Sequence, residues 1–230
     1  MAAALLARPS RLLAGSARYD LLVKGGRVID PSRRLNATCD VAIAGGRIAG
    51  VAPRIAGKAR LTLDAHGQLI VPGLIDIHTH AAWHPEGPKR LLAEGVTGWI
   101  DGGSQGADRI EEVVAVARSA PQPCGVLINI GRAGILTEGG DTIDLALADV
   151  TLAKEAIAKH RDFIVGVKAR LSPDNTSNDV EVLKRAQEVA SAFDLPVMIH
   201  MGQTVAPLPT LLNLLKRGDI VTHMSEPPET

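Results

Sequence analysis

His78 and His80 flank Thr79 at the end of a run that begins Leu74-Ile75. Alternation along a strand turns residues two apart to the same side, so both imidazoles can reach one ion. Alone, the pair is equally a couple of hydrogen-bonded core histidines. Three further apolar runs tip the balance, because each ends in a metal-compatible residue: Phe163-Ile-Val-Gly-Val at Lys168, Pro196-Val-Met-Ile at His200 and Asp219-Ile-Val-Thr at His223. The other histidines, His66 in a glycine turn, His84 in the loop after the first of these runs and His160 at a helix end, read as surface or loop structure.

Lys168 is unusual company for a cation. Among apolar neighbours its ammonium is disfavoured, and the neutral amine can take up CO₂ as a carbamate, an anionic oxygen ligand able to bridge two metals. The alternative is a lysine paired with a buried carboxylate. Four histidine companions suit Zn²⁺ and call for a balancing anion, which favours the carbamate. Arg170, two residues on and on the same side if the strand continues, could clamp a substrate carboxylate or form a rim salt bridge. A rival motif is Gly102-Gly-Ser104-Gln-Gly106, which fits the Gly-x-Ser-x-Gly nucleophile elbow with Asp219 and His223 to complete it. That reading leaves His78, His80, Lys168 and His200 unexplained. No Gly-x-Gly-x-x-Gly, Walker A or His-Glu-x-x-His motif occurs.

The elements that must position these residues follow two rhythms. Residues 19–70 read as a small β-sandwich module, with Asp20-Leu-Leu-Val-Lys and Arg27-Val-Ile-Asp around Gly25-Gly26, then Asp40-Val-Ala-Ile-Ala and Arg47-Ile-Ala-Gly-Val around Gly45-Gly46. Each glycine pair is expected to make a hairpin turn. After Pro72-Gly73, strand-like and helix-like stretches alternate, the mark of βα units and a parallel sheet. Strands are predicted at residues 74–78, 97–101, 126–130, 163–168, 197–200 and 220–223, and helices at 107–118, 143–159, from the Asn178 cap onward, and 210–217. A (β/α)₈ TIM-type barrel takes ~250 residues, or about 31 per unit, so residues 71–230 hold an incomplete barrel of about six units. Its open strand edges predict homo-oligomers.

The bulk composition narrows the function. Lys and Arg total 25, Asp and Glu 25, so no net charge recruits nucleic acid or an anionic membrane. At 46% hydrophobic and 22% charged, with no run long enough to span a bilayer, the chain reads as a water-soluble globular protein. Cys39 and Cys124 cannot make a disulfide framework, which suits the cytoplasm or another reducing compartment. Residues 1–18, with Arg8, Arg11 and Arg18 and no acid, read as a disordered tail or an organelle-targeting segment.

Four stretches carry a resemblance. Val71-Pro-Gly-Leu-Ile-Asp-Ile-His-Thr-His80, Asp162-Phe-Ile-Val-Gly-Val-Lys-Ala-Arg170, Leu195-Pro-Val-Met-Ile-His-Met201 and Gly218-Asp-Ile-Val-Thr-His-Met224 resemble the amidohydrolase superfamily, in its dihydroorotase-like amidohydrolase/deacetylase branch. The resemblance implies that His78 and His80 hold the more buried of two Zn²⁺ ions, that Lys168 as a carbamate bridges both, and that His200 and His223 hold the second. It also implies hydrolysis of a carbon–nitrogen bond in a small non-peptide amide by a metal-bound hydroxide. Acyclic N-acetyl deacetylation competes there with opening of a cyclic amide such as a dihydroorotate or hydantoin. The family's aspartate at the end of barrel strand eight has no counterpart before Thr230, and Asp76 and Asp101 lie on strands one and two. A non-catalytic remnant of such an enzyme is the competing expectation.

Overall fold

The computed structural model describes residues 18–136 and 138–223. The targeting-like segment expected at the N-terminus lies outside them, apart from Arg18. The chain divides after Pro72 into two compact units. Among the described residues no helix is long and apolar enough to cross a membrane.

The first unit is a single five-stranded sheet. Strands β1 (Arg18–Asp30), β2 (Leu35–Ala44) and β3 (Arg47–Ala52) form an antiparallel meander, while β4 (Lys58–Asp64) and β5 (Leu69–Ile70) run parallel to successive halves of β1. The second glycine pair makes its expected turn: Gly45 and Gly46 both have positive φ and join β2 to β3. The first does not. β1 runs straight through Gly25-Gly26, and the register against β2 slips between Val23 and Gly26, so the extra residue forms a bulge. Asp40 explains why the chain stays in the sheet there. Its buried carboxylate accepts the Gly25 amide at 3.0 Å and the Ile55 amide at 2.9 Å, binding the bulge to the loop after β3. The chain instead reverses after β1 at Pro31–Arg33, where Asp30 accepts the Ser32 amide at 3.0 Å.

The second unit is a parallel sheet of six strands in simple sequential order, β6 (Leu74–Thr79), β7 (Val96–Asp101), β8 (Cys124–Asn129), β9 (Ile164–Leu171), β10 (Val197–Met201) and β11 (Ile220–Thr222). All six predicted strands are present within a few residues of their expected bounds. Helices α1 (Gly87–Ala93), α2 (Ile110–Ser119), α3 (Val150–Lys159), α4 (Asp179–Ser191) and α5 (Leu208–Leu214) fill the crossovers. Val126, Ile128, Val167 and Ile199 from the strands pack in one core with Val113, Val114, Ile157, Val182 and Leu183 from the helices. β8 and β9 are buried along most of their length and read as continuous apolar runs, as strands covered on both faces do.

The helix bounds show where periodicity misleads. α4 starts on its expected cap, with Asn178 Oδ1 accepting the Glu181 amide at 3.1 Å. α3 starts later than expected, at Val150, because Asp149 Oδ1 caps the Leu152 amide at 2.9 Å; Ile143, which continues the apolar phase, is exposed. α1 was not expected at all. Its seven residues begin Gly-Pro and bury only Pro88, too little to show a helical stripe.

The sheet is curled. His78 lies in the first strand and His223 directly follows the sixth, yet their ring centroids are 5.1 Å apart. A flat sheet at ~4.8 Å per strand would hold those edges roughly 24 Å apart. β6 and β11 do not pair with each other, so the described sheet is an open, barrel-type half-cylinder, an incomplete (β/α)₈ barrel.

Candidate metal centre

The C-terminal ends of β6, β9, β10 and β11 bring the chosen side chains into one cluster, at the rim where such barrels build their sites. Lys168 is 1% exposed, and its Nζ lies 3.0 Å from His78 Nε2 and 3.5 Å from Met198 Sδ. The histidine rings form a chain: His80 to His78 at 5.5 Å between centroids, His78 to His223 at 5.1 Å, and His223 to His200 at 4.3 Å. The five residues singled out as ligands are thus brought together from β6, β9, β10 and the end of β11. His223 adopts a left-handed backbone conformation, φ 64°, uncommon for a side-chain-bearing residue and typical of functional turns. Among the described residues no three His, Cys, Asp or Glu side chains close around a single point, and Lys168 faces His78 directly.

Electrostatics suit the pocket to a cation. Burial, reinforced by neighbouring Lys168 and His223, drives the His78 pKa down to about 4. Burial and the adjacent His78 do the same to His80, and burial with His223 brings His200 to about 3. At neutral pH these three imidazoles are uncharged and offer lone pairs. Burial, then the positive charge of Arg170, lowers Lys168 to about 7, against the opposing pull of Asp101 and Asp141. A buried amine that is readily deprotonated, among neutral imidazoles, is a donor set that fits divalent zinc and the chemistry of carbamate formation.

Arg170 sits on the same strand as Lys168 but is engaged. Its Nη1 donates to Asp141 at 3.0 and 3.3 Å, and Asp141, 1% exposed, also accepts from Asn129 Nδ2 at 3.1 Å and from the Leu136 amide at 3.0 Å. Asn129 is a strand-end residue of β8 that a search for metal donors passes over. Its amide is fully used, donating also to the Gly103 carbonyl at 3.3 Å and accepting from the Gly131 amide at 2.9 Å.

Asp101, at the end of β7, is the other residue of consequence, though its place on the second strand does not match the family's strand-eight aspartate. Its carboxylate is wholly buried, which pushes its pKa up despite the hydrogen bonds it accepts. Ser104 donates its hydroxyl to Asp101 Oδ2 at 2.8 Å and faces His80 Nδ1 at 2.8 Å. A nucleophile elbow needs the histidine between serine and acid; here the serine stands between acid and histidine. Asp219, the acid that the elbow would use, accepts instead the backbone amides of Val197 and Lys216, each at 2.8 Å.

A curled parallel α/β half-barrel with histidines and a buried lysine at its strand ends defines a structural class, the (β/α) barrels that build their sites at that rim. No protein-family model matches the chain. A deacetylase of Enterococcus faecalis is 33% identical over 215 residues, covering 89% of this chain and 56% of the relative. A dihydroorotase of Solibacter usitatus is 28% identical over 208 residues, covering 87% and 44%. A crystal structure of an adenine deaminase superposes with a TM-score of 0.76 at 31% identity, covering 88% of this chain and 56% of that one. The matched stretch belongs to the amidohydrolase superfamily. The chain spans about half the length of the curated relatives it matches.

Proposed function

We propose that this protein acts in metal-dependent hydrolysis of carbon–nitrogen bonds other than peptide bonds, with a small amide as substrate. The observation that carries the reading is Lys168, buried at the strand ends against His78, its described polar contacts being a nitrogen and a sulfur rather than a carboxylate. His78, His80, His200 and His223 would hold two Zn²⁺ ions, with Lys168 bridging as a carbamate. Bound there, the metal supplies Lewis acidity, polarising a substrate carbonyl and bringing the pKa of water towards ~7.

The chain's own residues have separable parts in this. The neutral Lys168 amine attacks CO₂ through its lone pair, a C=O electron pair moves to oxygen, and the ammonium proton is released to solvent. Depressed basicity keeps the imidazoles from competing for protons at neutral pH. Arg170 keeps guanidinium hydrogens beyond those it gives Asp141, and these are proposed to orient a substrate carboxylate. Similarity to a deacetylase over 89% of the chain supports an N-acyl substrate as the reading tried first, with a cyclic amide as the alternative. The free thiols of Cys39 and Cys124 suit the cytoplasm as its location.

Equilibrium dialysis of the metal-free chain against Zn²⁺ tests the centre. Two zinc ions per chain are expected, falling in His78→Ala and His200→Ala, and ¹³C-labelled bicarbonate should give a carbamate resonance that disappears in Lys168→Met. A folded chain that takes up no zinc under these conditions would overturn the reading.

A further inference from the structure

We propose that Ser104, held by Asp101, is a positioning residue that fixes His80 as the Nδ1–H tautomer and so leaves its Nε2 lone pair for the metal. The metal part of this rests on the function proposed above, whereas the tautomer does not. Asp101 Oδ1 accepts the Gly103 amide at 3.2 Å and the Ser104 amide at 2.8 Å, which fixes the carboxylate in place. Its other oxygen faces Ser104 Oγ at 2.8 Å. A carboxylate only accepts, so the single hydroxyl hydrogen lies on that line, and what Ser104 turns towards His80 Nδ1 is a lone pair. Nδ1 must therefore be the donor. A neutral imidazole has one N–H, and Nε2 is left bare.

The arrangement is sealed and well anchored. Asp101 and Ser104 are fully buried, so no bulk water competes for the hydroxyl. The loop is tied to the strand that carries the histidines, because the Gly102 amide donates to the Thr79 carbonyl at 2.6 Å. Ligand histidines in metal sites are commonly oriented through their second ring nitrogen in this way, with 10–100-fold in affinity at stake.

The test reads ring nitrogens directly, by long-range ¹H–¹⁵N correlation on the full chain with ¹⁵N-labelled histidine, metal-free at pH 8, with His80→Gln to assign the signals. Wild type is expected to show His80 protonated at Nδ1. Asp101→Asn is close to isosteric, and its amide oxygen must stay on the two backbone N–H groups, so its NH₂ faces Ser104. The hydroxyl then accepts from Asn and donates to Nδ1, and the tautomer inverts to Nε2–H. The same carboxylate-to-amide exchange imposes the wrong tautomer on a catalytic histidine elsewhere. Zinc affinity should fall about 10–100-fold with the inversion. Ser104→Ala should give mixed tautomers and a comparable loss, and Ser104→Thr, which keeps the hydroxyl, should restore both.

Nε2–H in the wild type, or an unchanged tautomer in folded Asp101→Asn, would overturn the proposal. Should Asp101→Asn fail to fold by circular dichroism, the wild-type tautomer and Ser104→Ala decide it. A chain that binds no zinc but shows the inversion would sink the metal centre and leave this relay standing.

Discussion

His78, His80 and His200 all lose basicity on folding, and the sign of that loss fixes how the protein responds to acid. Unfolded, each titrates near ~6.5; folded, at about 4, 4 and 3, so between those limits the unfolded chain binds more protons. Stability present above pH ~6.5 is lost as the pH falls through that window. Lys168, lowered to about 7, works in a higher range. The unfolded lysine stays protonated to ~10.4, so stability rises between pH 7 and that value. Urea midpoints of the metal-free chain should follow both slopes, with Lys168→Met flattening the alkaline one; an unaltered alkaline slope in that variant refutes the assignment. Arg170 carries a separate expectation. Its loss leaves the buried Asp141 carboxylate without its cation, so Arg170→Ala should cost about 3 kcal/mol in urea unfolding. The histidines and Lys168 could be picked out because donor types recur at apolar run ends. Asp101 and Asn129 stand at equivalent strand ends, but Asp101 is bound by the Gly103-Ser104 turn and Asn129 by the Gly103 and Asp141 loops, and such loop contacts have no signature in residue type or spacing.

Between β7 and α2, the residues Asp101-Gly-Gly-Ser104 touch three of the five proposed ligands. A Cβ on Gly102 would come within 2.2 Å of His78 Cδ2, and one on Gly103, at φ +88°, within 2.4 Å of Lys168 Cβ. Neither glycine can be replaced without moving a ligand. Gly103→Ala combines steric clash with backbone strain and should abolish tight zinc binding, whereas Gly95→Ala, with φ +90° and open space around it, should show the strain alone. Comparing zinc affinity with thermal midpoint for the two separates these effects; equal affinities would mean that the loop does not shape the pocket. A Gly-Gly-Ser string is ambiguous in sequence, since it serves equally a nucleophile elbow, a rim loop or a turn. The same ambiguity made a bulge at Gly25-Gly26 read as a hairpin, because what decides is the buried Asp40 carboxylate from the neighbouring strand. Local pattern gave the second unit's strands, while capping and cross-strand hydrogen bonds set the details.

At the scale of the molecule, β6 pairs on one side with β7, and Leu74, Ile75 and Ile77 along it are 57%, 70% and 46% exposed. An apolar strand edge of this kind is prone to pair with another chain. Light scattering across a concentration series should show self-association, weakened by Ile75→Lys; a monomer throughout would show that the edge is protected. The curl of the sheet has a kinetic corollary. The site draws on position 78 and position 223, at opposite ends of the second unit's strand order, so no local hairpin or single βα unit can assemble it. The loop-closure entropy between those ends has to be met by six strands docking in turn. Of the proposed ligands only His78 and His80 are close enough in sequence to share an ion before the strands dock. High-affinity zinc uptake therefore becomes a clock for the last docking event, arriving after the fluorescence of the core residue Trp99 has reached its native value.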